Sequence, residues 1–540
     1  MNRSRWLVTI CAGVLVGPAT AEQARRPNLV IIMADDMGFS DIGCFGGEIR
    51  TPNLDALARA GLRFTQFYNT SRCCPTRASL LTGLYPHQAG VGHMMEDRGI
   101  PGYRGDLNRS SVTIAEVLKP SGYATLMAGK WHVCRPDRAE ENGPIARGFD
   151  RHYGTIHGAG SFYDPVSLQL DGEPIAPEGD DYYYTDAIGS YASQFIREAP
   201  DDRPLFAYVA LTAPHWPLHA PAEAIASYSG RYDEGWDVLR SERHRRMIDL
   251  GVVEGHWPLT PRDEEAPAWD EVPEVDRPWF SRRMEVYAAQ VELMDRNVGR
   301  IVEALREDGR LEETLILFLA DNGGCAEELG PSSHALYIPE TTRDGRPVLQ
   351  GNRRDLTPGP ADTYQSYGLP WANASNTPFR RSKHWVHEGG ISTPLIAHWP
   401  SGIPEGLGGS LLPTPGHLID LMATCVDLGG ARYPASFAGQ SITPMAGKSL
   451  APALQSGDRE PHDAIFWEHE GNRAVRRGDW KLVSRHPGPW ELYDLAADRT
   501  ESDDLADRHP DVVAELSSLY DDWASRSAVV PWSDLPSPVR

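Results

Sequence analysis

The chain has 540 residues, which is too long for one small hydrophobic core and predicts a large domain with a smaller one. Its 75 acidic residues outnumber its 52 basic residues, and the formal net charge is -23. Because no basic patch offsets this excess, the composition argues against a nucleic acid partner. A small anionic substrate is still compatible with the charge if cationic side chains are concentrated at the site.

The first 21 residues have the pattern of a signal peptide. Arg3 and Arg5 precede an apolar run over residues 6–16, and small residues at 19–21 provide a cleavage site. The run is too short to span a bilayer as a mature helix, and Ile10 before Cys11 is a poor match to a lipoprotein signal. We therefore expect export to a periplasm or the exterior, without a membrane anchor.

The first predicted strand ends in two aspartates. Residues 28–34 form a continuous apolar run, which is typical of a strand buried on both faces, and Asp35 and Asp36 follow it directly. Residues 53–68 carry an apolar stripe at helical spacing and predict one helix.

The stretch SRCCPTRASLLTG occupies residues 71–83 and predicts a short helix. Pro75 suits a first helical turn because it has no N–H to lose, and Gly83 suits the left-handed position after a helix. Cys73 is therefore expected at or just before a helix N-terminus, with Arg77 one turn away. Unpaired N–H groups there favour an anion beside a sulfur nucleophile or its derivative.

The cysteines are too few for a disulfide-stabilised fold of this size. Cys11 lies in the predicted signal peptide, and the remaining six are Cys44, Cys73, Cys74, Cys134, Cys325 and Cys425. The adjacent pair Cys73-Cys74 could also be a vicinal disulfide or two buried thiols, and the sequence leaves that pairing open.

The next predicted elements again place polar residues after strands. A helix is predicted over residues 113–118 and a strand over 123–129, followed by Lys130 and His132, which share a face in an extended backbone. A further strand over 205–211 leads into TAPHWPLHAP, which contains His215.

The middle of the chain alternates between clear and unclear patterns. Residues 222–280 are polar, rich in Trp and Pro and weakly periodic, and we interpret them as an insertion. Residues 284–305 predict a long amphipathic helix, and 314–319 predict a buried strand that leads to Asp321 and Asn322. Residues 325–376 predict a long loop, which is typical of a functional or disordered segment.

The remaining elements complete a two-part fold. A strand over 393–398 and a helix over 417–428 follow the segment that contains Lys383. From about residue 455, short alternating strands predict a small antiparallel sheet, and a helix is predicted over 510–526. The fold class is therefore α/β: a large, mostly parallel mixed sheet between helices, plus a small C-terminal antiparallel sheet with a packed helix. The predicted organisation is a signal peptide (1–21), a catalytic α/β domain (22–454) and a C-terminal α+β subdomain (455–540).

Four polar residues at strand ends predict a metal site. Asp35, Asp36, Asp321 and Asn322 supply oxygen ligands, which favour Ca²⁺ or Mg²⁺ over zinc. Three carboxylates favour calcium, because it tolerates crowded and bidentate ligation. Ligands in such sheets bind at the carboxyl ends of the strands. The cationic groups that could accompany an anion there are Arg77, Lys130, His132, His215 and Lys383.

The cysteine stretch closely resembles the signature of the type I sulfatases, which is Cys-x-Pro-x-Arg followed by a Leu-Thr-Gly helix end. The matching residues here are Cys73-Cys74-Pro75-Thr76-Arg77 and LLTG. The resemblance continues, in the family's order, through ADDMGFSDIGCFGG, GYATLMAGKWH, TAPHWPLHAP, LADNGG and PFRRSKHWVHEGGISTP. It implies an arylsulfatase-like sulfuric ester hydrolase with the alkaline phosphatase superfamily fold, which acts on aryl sulfates or sulfated carbohydrates.

The resemblance also implies a modified nucleophile. In the family, a maturation enzyme oxidises the first motif cysteine to Cα-formylglycine, an aldehyde that is hydrated to a geminal diol. That cysteine corresponds to Cys73, which as formylglycine would also join the calcium ligands. One diol oxygen would attack sulfur, assisted by the cation and Asp321.

The other family positions imply distinct roles. Arg77, Lys130, His215 and Lys383 would stabilise the sulfate oxygens, and Lys130, His215 and Lys383 would bind substrate. His215 or Lys383 would protonate the leaving alcohol or phenol, and His132 would deprotonate the second hydroxyl. The histidines near motif segments that could line the leaving-group pocket are His93, His219, His387 and His469.

Substrate identity and two rival functions stay open at this stage. Many relatives have Arg after EGGI where this chain has Ser392, which leaves the substrate subclass undefined. One alternative is a phosphonate monoesterase or phosphodiesterase of the same superfamily, because such enzymes can share the formylglycine. The other is an inactive sulfatase-like binding protein, which would be expected to lack ligands or the nucleophile.

Overall fold

The computed structural model describes residues 26–331 and 337–539. The predicted signal peptide and Cys11 lie outside the described residues. Among the described residues, no helix has an apolar stretch long enough to cross a bilayer. All six cysteines predicted for the mature chain lie in the described parts and are free thiols, Cys73 and Cys74 included.

The strands of the described parts, in chain order, are β1 (Asn28–Ala34), β2 (Leu62–Tyr68), β3 (Ala124–Gly129), β4 (Arg151–Thr155), β5 (Leu168–Leu170), β6 (Glu173–Pro174), β7 (Leu205–Ala210), β8 (Thr314–Ala320), β9 (Leu349–Gln350), β10 (Thr363–Tyr364), β11 (Ser392–His398), β12 (Leu411–Leu412), β13 (Gly416–His417), β14 (Ser436–Phe437), β15 (Gln440–Ser441), β16 (Ile465–His469), β17 (Asn472–Arg477), β18 (Trp480–Ser484) and β19 (Glu491–Asp494). The α-helices are α1 (Pro52–Ala60), α2 (Cys73–Thr82), α3 (Ile114–Leu118), α4 (Ala139–Asn142), α5 (Tyr184–Glu198), α6 (Ala222–Ala226), α7 (Gly235–Asp249), α8 (Arg277–Glu307), α9 (Leu369–Ser375), α10 (Glu388–Ile391), α11 (Ile419–Leu428), α12 (Ala451–Ser456) and α13 (Pro510–Arg526).

The large sheet is mixed and mostly parallel at its centre. Its strand order is β12-β2-β11-β8-β1-β7-β3-β4-β5-β6, and β13 also pairs with β2. β8, β1, β7, β3 and β4 run parallel to one another, whereas β11 is antiparallel to both β8 and β2, and β5 is antiparallel to β4. This arrangement confirms the predicted α/β class.

Helices cover both faces of the large sheet. The even-numbered residues of β1, such as Val30 and Ile32, pack in one core with α1, α5 and α8. The odd-numbered residues, such as Leu29 and Ile31, pack in the opposite core with α2, α3 and α11. Because both faces of β1 are buried, its sequence is almost continuously apolar.

The small C-terminal sheet is antiparallel, in the order β16-β17-β18-β19. One of its faces packs against α13 through Phe466 and Trp523, whose rings stack with centroids 5.0 Å apart. Its other face packs against the large domain, where Trp467 contacts Tyr68 of β2. The predicted small sheet and packed helix are confirmed, and the boundary between residues 454 and 455 stays a prediction.

The helix predicted over residues 53–68 is wrong in its second half. α1 ends at Ala60, and Leu62–Tyr68 forms β2, which pairs antiparallel with β11. Gly61 breaks the helix, and a Cβ there would lie 2.1 Å from the carbonyl oxygen of Ala397 on β11. The close approach of two backbones therefore decides where the helix ends.

The segment interpreted as a weakly periodic insertion contains a well-formed helix. α7 presents Trp236 and Met247 to the core, but its apolar stripe is interrupted by Arg243. Arg243 is fully buried and pairs with Asp41 at 2.6 Å and Glu48 at 2.8 Å. A buried ion pair therefore replaces an apolar contact and hides the helical period.

Candidate active site

Four neighbouring strands bring polar residues to one edge of the large sheet. β8, β1, β7 and β3 lie side by side and run parallel. Ala34 pairs with Ala320, so Asp35 and Asp321 directly follow paired residues. Lys130 follows β3 and donates its backbone N–H to Ala210, the last residue of β7.

Cys73 is the first residue of α2 and is 2% exposed. Gly83 ends the helix with a left-handed φ of 68°. The Thr76 hydroxyl donates to the backbone oxygen of Asp321 at 2.6 Å, which fastens the first helical turn to the end of β8. The unpaired N–H groups of this turn favour negative charge next to Cys73.

The oxygen side chains at this edge are crowded and incompletely satisfied. Asp321 Oδ1 accepts the Asp36 N–H at 3.1 Å, and Asn322 Nδ2 donates to Asp36 Oδ1 at 2.7 Å. Asp35 Oδ1 and Asn322 Oδ1 are buried and accept no hydrogen bond from the described residues. Burial, reinforced by the charge of Asp321, raises the pKa of Asp35 well above its usual value. Such unsatisfied oxygens fit a hard divalent cation such as Ca²⁺.

Buried cationic groups face these carboxylates. Lys130 Nζ lies 2.6 Å from Asp35 Oδ2, and Lys383 Nζ lies 2.8 Å from Asp36 Oδ1. The guanidinium of Arg77 donates to Asp321 at 2.8 Å and also to the backbone oxygen of Lys130. All of these side chains are at most 2% exposed, so their charges act in a poorly screened environment.

This environment stabilises negative charge at residue 73. A hydrogen bond with Cys74 holds the pKa of the Cys73 thiol well below its usual value, and Lys130 and Lys383 lower it further although burial opposes them. Burial, together with that hydrogen bond, instead raises the pKa of Cys74. The two adjacent cysteines therefore differ in chemistry, and the first lies in the anion-stabilising position.

His132 contacts Cys73 as a neutral imidazole. Burial, and then the charge of Lys130, lowers the pKa of His132 to about 3, although the hydrogen bond with Cys73 opposes this. His132 has a left-handed φ of 56°. Its ring packs against Gly158, where an added Cβ would lie only 2.0 Å from the ring atom Cε1. The left-handed backbone of His132 and its close contact with Gly158 therefore fix the neutral imidazole next to residue 73.

His215 lies between the carboxylate and the lysine. Its Nε2 is 3.3 Å from Asp36 Oδ2 and 3.4 Å from Lys383 Nζ, while Nδ1 donates to the backbone oxygen of Trp216. Burial lowers the pKa of His215 to about 4. One ligand atom each of Asp35, Asp36 and His215 lies within 4.8 Å of the others. His215 therefore lies between the carboxylates proposed for a cation and the lysines proposed for an anion.

The four other candidate histidines have separate surroundings. His219 Nε2 donates to the backbone oxygen of Thr363 at 2.6 Å, and His387 lies 3.6 Å from Glu491, so both have partners outside the Cys73 cluster. His93 and His469 lie together beside Glu470. Within the described parts, no hydrogen bond or ion pair joins these two to the side chains around Cys73.

One pair of residues at the site was not predicted. Glu327 pairs with Arg72 at 2.7 Å and accepts the indole N–H of Trp216 at 2.9 Å. Despite its burial, the charges of Lys383 and Arg72 lower the pKa of Glu327. Arg72 could have been noticed because it precedes Cys73, but Glu327 lies in a loop without a pattern.

Two family models match the chain. A model described as Sulfatase matches residues 27–431, and a model described as N-sulphoglucosamine sulphohydrolase, C-terminal, matches residues 380–522. The two matches overlap and together include the large and the small sheet.

Curated relatives and a solved structure agree with these matches. The chain is 35% identical to an uncharacterised sulfatase of Schizosaccharomyces pombe, over 95% of this chain and 96% of the relative. It is also 35% identical to an arylsulfatase of Klebsiella aerogenes, over 81% of this chain and 94% of that protein. A solved structure in complex with its substrate D-glucosamine-2-N,6-O-disulfate has a TM-score of 0.63 at 20% identity, covering 94% of this chain and all of that one, and shares the fold.

Proposed function

The chain belongs to the sulfatase family of enzymes, and on this basis we propose that it hydrolyses sulfate monoesters with residue 73 as formylglycine and with a bound calcium ion. One observation carries the proposal. Cys73 lies at a helix N-terminus among buried cationic groups, beside oxygen atoms that lack partners in the described parts of the chain. An anion and a cation can therefore be held side by side around residue 73.

The residues that would hold calcium are Asp35, Asp36, Asp321, Asn322 and residue 73. The unsatisfied Asp35 Oδ1 and Asn322 Oδ1 support this assignment. When both groups are present, the hydrated aldehyde supplies a hydroxyl oxygen as nucleophile, and calcium lowers the cost of its ionisation.

The chain's own residues would bind the sulfate and move protons. Arg77, Lys130 and Lys383 direct N–H groups at the anion and stabilise the charge that shifts as the S–O bond breaks. Lys383 Nζ, 3.4 Å from His215 Nε2, is the candidate donor to the leaving oxygen, and His215 becomes a candidate donor when its Nε2 is protonated. His132, neutral and in contact with residue 73, is the candidate acceptor of the proton from its second hydroxyl.

The substrate is proposed by class. An arylsulfatase among the relatives supports an aryl sulfate, and the neighbour bound to a disulfated glucosamine supports a sulfated carbohydrate. His93 and His469 remain candidates for the leaving-group side. We also propose a formylglycine-generating maturation enzyme as a partner, and export of the chain by its N-terminal signal.

Paired kinetics test the reaction class. The purified protein, expressed with a maturation enzyme, is assayed with p-nitrophenyl sulfate, bis-p-nitrophenyl phosphate and a p-nitrophenyl phosphonate, beside Cys73→Ala and Cys74→Ala. We expect the highest kcat/KM for the sulfate ester, loss of turnover in Cys73→Ala, and retained turnover in Cys74→Ala. A clear preference for a phosphorus ester, or full activity of Cys73→Ala, would overturn the proposal.

A further inference from the structure

Three potential metal ligands lie together outside the Cys73 cluster. His93 follows α2, His469 is the last residue of β16, and Glu470 begins the turn to β17. Their ligand atoms all lie within 4.8 Å of one another. His93 Nε2 is 2.7 Å from Glu470 Oε1, and His469 Nε2 is 3.7 Å from the same oxygen.

The backbone holds these donors in one place. His469 pairs with Asn472, so Glu470 and Gly471 form a two-residue hairpin turn, with φ of 52° and 81°. A non-glycine residue in this conformation is uncommon, and here it directs the Glu470 carboxylate towards the His93 ring. The two imidazoles stack with centroids 5.6 Å apart.

His469 has ring nitrogens without a partner among the described residues, and its Nε2 faces Glu470. Its side chain is fully buried, and neither ring nitrogen has a hydrogen-bond partner in the described parts of the chain. In a neutral imidazole one of these two nitrogens carries a free lone pair, which a metal ion can accept. A buried polar atom without a partner is costly, and a bound ligand would remove that cost.

Outer partners orient the remaining donors. Glu96 Oε2 lies 3.2 Å from His93 Nδ1, which leaves His93 Nε2 facing Glu470. His384 Nδ1 lies 3.1 Å from Glu470 Oε2, which leaves Oε1 facing the two imidazoles. A carboxylate behind a ligating histidine and a hydrogen bond to a ligating carboxylate are the usual supports of a metal site.

We propose that His93, His469 and Glu470 bind a divalent transition metal, with Zn²⁺ the best match, at a second site distinct from the oxygen cluster of Asp35 and Asp321. Two imidazole nitrogens and one carboxylate oxygen are borderline donors that suit zinc, whereas the oxygen cluster suits calcium. On binding, the metal takes the place of the proton between His93 Nε2 and Glu470, and that proton is released. Three protein ligands leave a coordination position for water or a substrate oxygen.

The site is accessible and lies close to the predicted chemistry. Glu470 is 25% exposed and Glu96 is 51% exposed, so an ion can enter from solvent. His384 directly follows Lys383, and its backbone N–H donates to Ser71 next to the cysteine stretch. The nearby cation Arg72 is paired with Glu327, which limits its repulsion of a metal ion.

Cobalt binding tests the proposal without using activity. The full chain, kept in excess Ca²⁺ to fill the oxygen cluster, is titrated with CoCl₂ while visible d–d absorption and bound cobalt are measured. We expect one equivalent of Co²⁺ with the intense bands of low coordination, displaced by Zn²⁺. His469→Gln and Glu470→Gln should lose this band, and Glu96→Gln should weaken binding by about 10- to 100-fold.

Matched variants separate this site from the calcium site. His256→Gln removes an exposed imidazole elsewhere and should leave the cobalt band unchanged. Asp321→Asn alters only the oxygen cluster and should also retain the band. The proposal is overturned if the wild type binds no cobalt beyond the calcium-filled site, or if folded His469→Gln and Glu470→Gln bind it as the wild type does.

Discussion

Three cationic side chains at the candidate site, those of Arg77, Lys130 and Lys383, each have a buried carboxylate partner from another segment. Lys383 contacts Asp36 at 2.8 Å, although the two residues are 347 positions apart in the chain. Both side chains are almost completely buried, so neither can reorient into solvent when an anion binds. The groups are therefore preorganised, and charge that develops on a bound ester meets fixed donors.

Lys383→Met tests the role of this preorganised charge. The variant keeps most of the length of the side chain and removes the positive charge that faces Asp36 and His215. We expect kcat on an aryl sulfate to fall about 10²- to 10³-fold, as for the loss of one oxyanion donor. Lys448→Met, at a half-buried lysine outside the site, is the control. A kcat within twofold of the wild type, in a folded Lys383→Met protein, would contradict the assigned role.

Buried neutral histidines should make the protein sensitive to acid. Burial lowers the pKa of His152 to about 3, whereas an unfolded histidine titrates near pH ~6.5. Between these values the unfolded chain binds a proton that the native chain does not, so the free energy of unfolding falls as the pH falls. Between these two pKa values, this imidazole lowers the free energy of unfolding by about 1.4 kcal/mol for each pH unit of acidification. Above pH ~6.5 it has no effect on the pH dependence of stability.

His152→Leu measures that contribution. Urea unfolding at several pH values from 7.5 to 4.5 should give a shallower loss of stability for the variant than for the wild type. Above the pH at which the unfolded histidine titrates, the difference between the two should be constant. Curves that stay parallel down to pH 4.5 would show that His152 does not contribute.

At the scale of elements, the contact between β3 and β4 positions Lys130 and His132. The backbone N–H groups of Trp131 and His132 donate to Thr155 and Ile156, which extends the ladder past the end of β3. Gly154 permits this approach, because a Cβ there would lie 1.8 Å from the Gly129 carbonyl oxygen.

Gly154→Ala should therefore separate the two strands. We expect a loss of about 1–3 kcal/mol in the free energy of unfolding, with a lower kcat because Lys130 moves. Chemical denaturation and kinetics on the same preparations measure both effects. Gly406→Ala has open space around its Cβ and should stay within about 0.5 kcal/mol of the wild type. Equal stability of the two variants would refute the packing argument.

Strands buried on both faces were the elements best predicted from the sequence. Apart from Asn28 and Thr314 at their first positions, residues 28–34 and 314–319 are apolar, and the polar residues after them could be assigned to the carboxyl edge of the sheet. Leu62–Tyr68 was assigned to the wrong class because its partner strand β11 is more than 300 residues away in the chain. Local periodicity carries no information about such a partner.

At the site, residues were predictable where a motif contained them and not where contacts alone place them. Cys73, Arg77 and Lys130 belong to recognisable motifs, and the structure brings them together. Glu327 contacts Arg72 and Trp216, which come from two other segments of the chain. Its place at the site therefore depends on contacts between distant residues, for which the local sequence gives no signal. Ser392, which follows EGGI, donates to Glu388 and accepts from Arg499 in a buried network.

At the scale of the whole molecule, that network joins the small sheet to the large domain. Lys481 of β18 lies 2.9 Å from Glu388 and 2.7 Å from Glu501, and Arg499 lies 3.0 Å from Glu388. All four side chains are fully buried. The two parts therefore share buried charges that cannot be satisfied separately.

Lys481→Met should destabilise the molecule as a whole. Removing the Lys481 charge leaves Glu501 without its ion-pair partner and Glu388 paired with Arg499 alone, at a cost of about 3–5 kcal/mol. Lys448→Met removes an ion pair with the exposed Glu460 and a hydrogen bond to the Pro461 backbone oxygen, and should cost at most about 1 kcal/mol. Calorimetry or denaturant unfolding compares the two. If both variants lose the same small amount, the network does not couple the small sheet to the large domain.

The central claim is that Cys73 is the precursor of the nucleophile rather than a thiol nucleophile. Mass spectrometry of the peptide that contains Cys73, on protein expressed with and without a maturation enzyme, tests it most directly. We expect sulfur to be lost and oxygen gained at Cys73 but not at Cys74, and sulfatase activity to rise in proportion to the converted fraction. A fully active protein in which Cys73 is an unmodified thiol would contradict it.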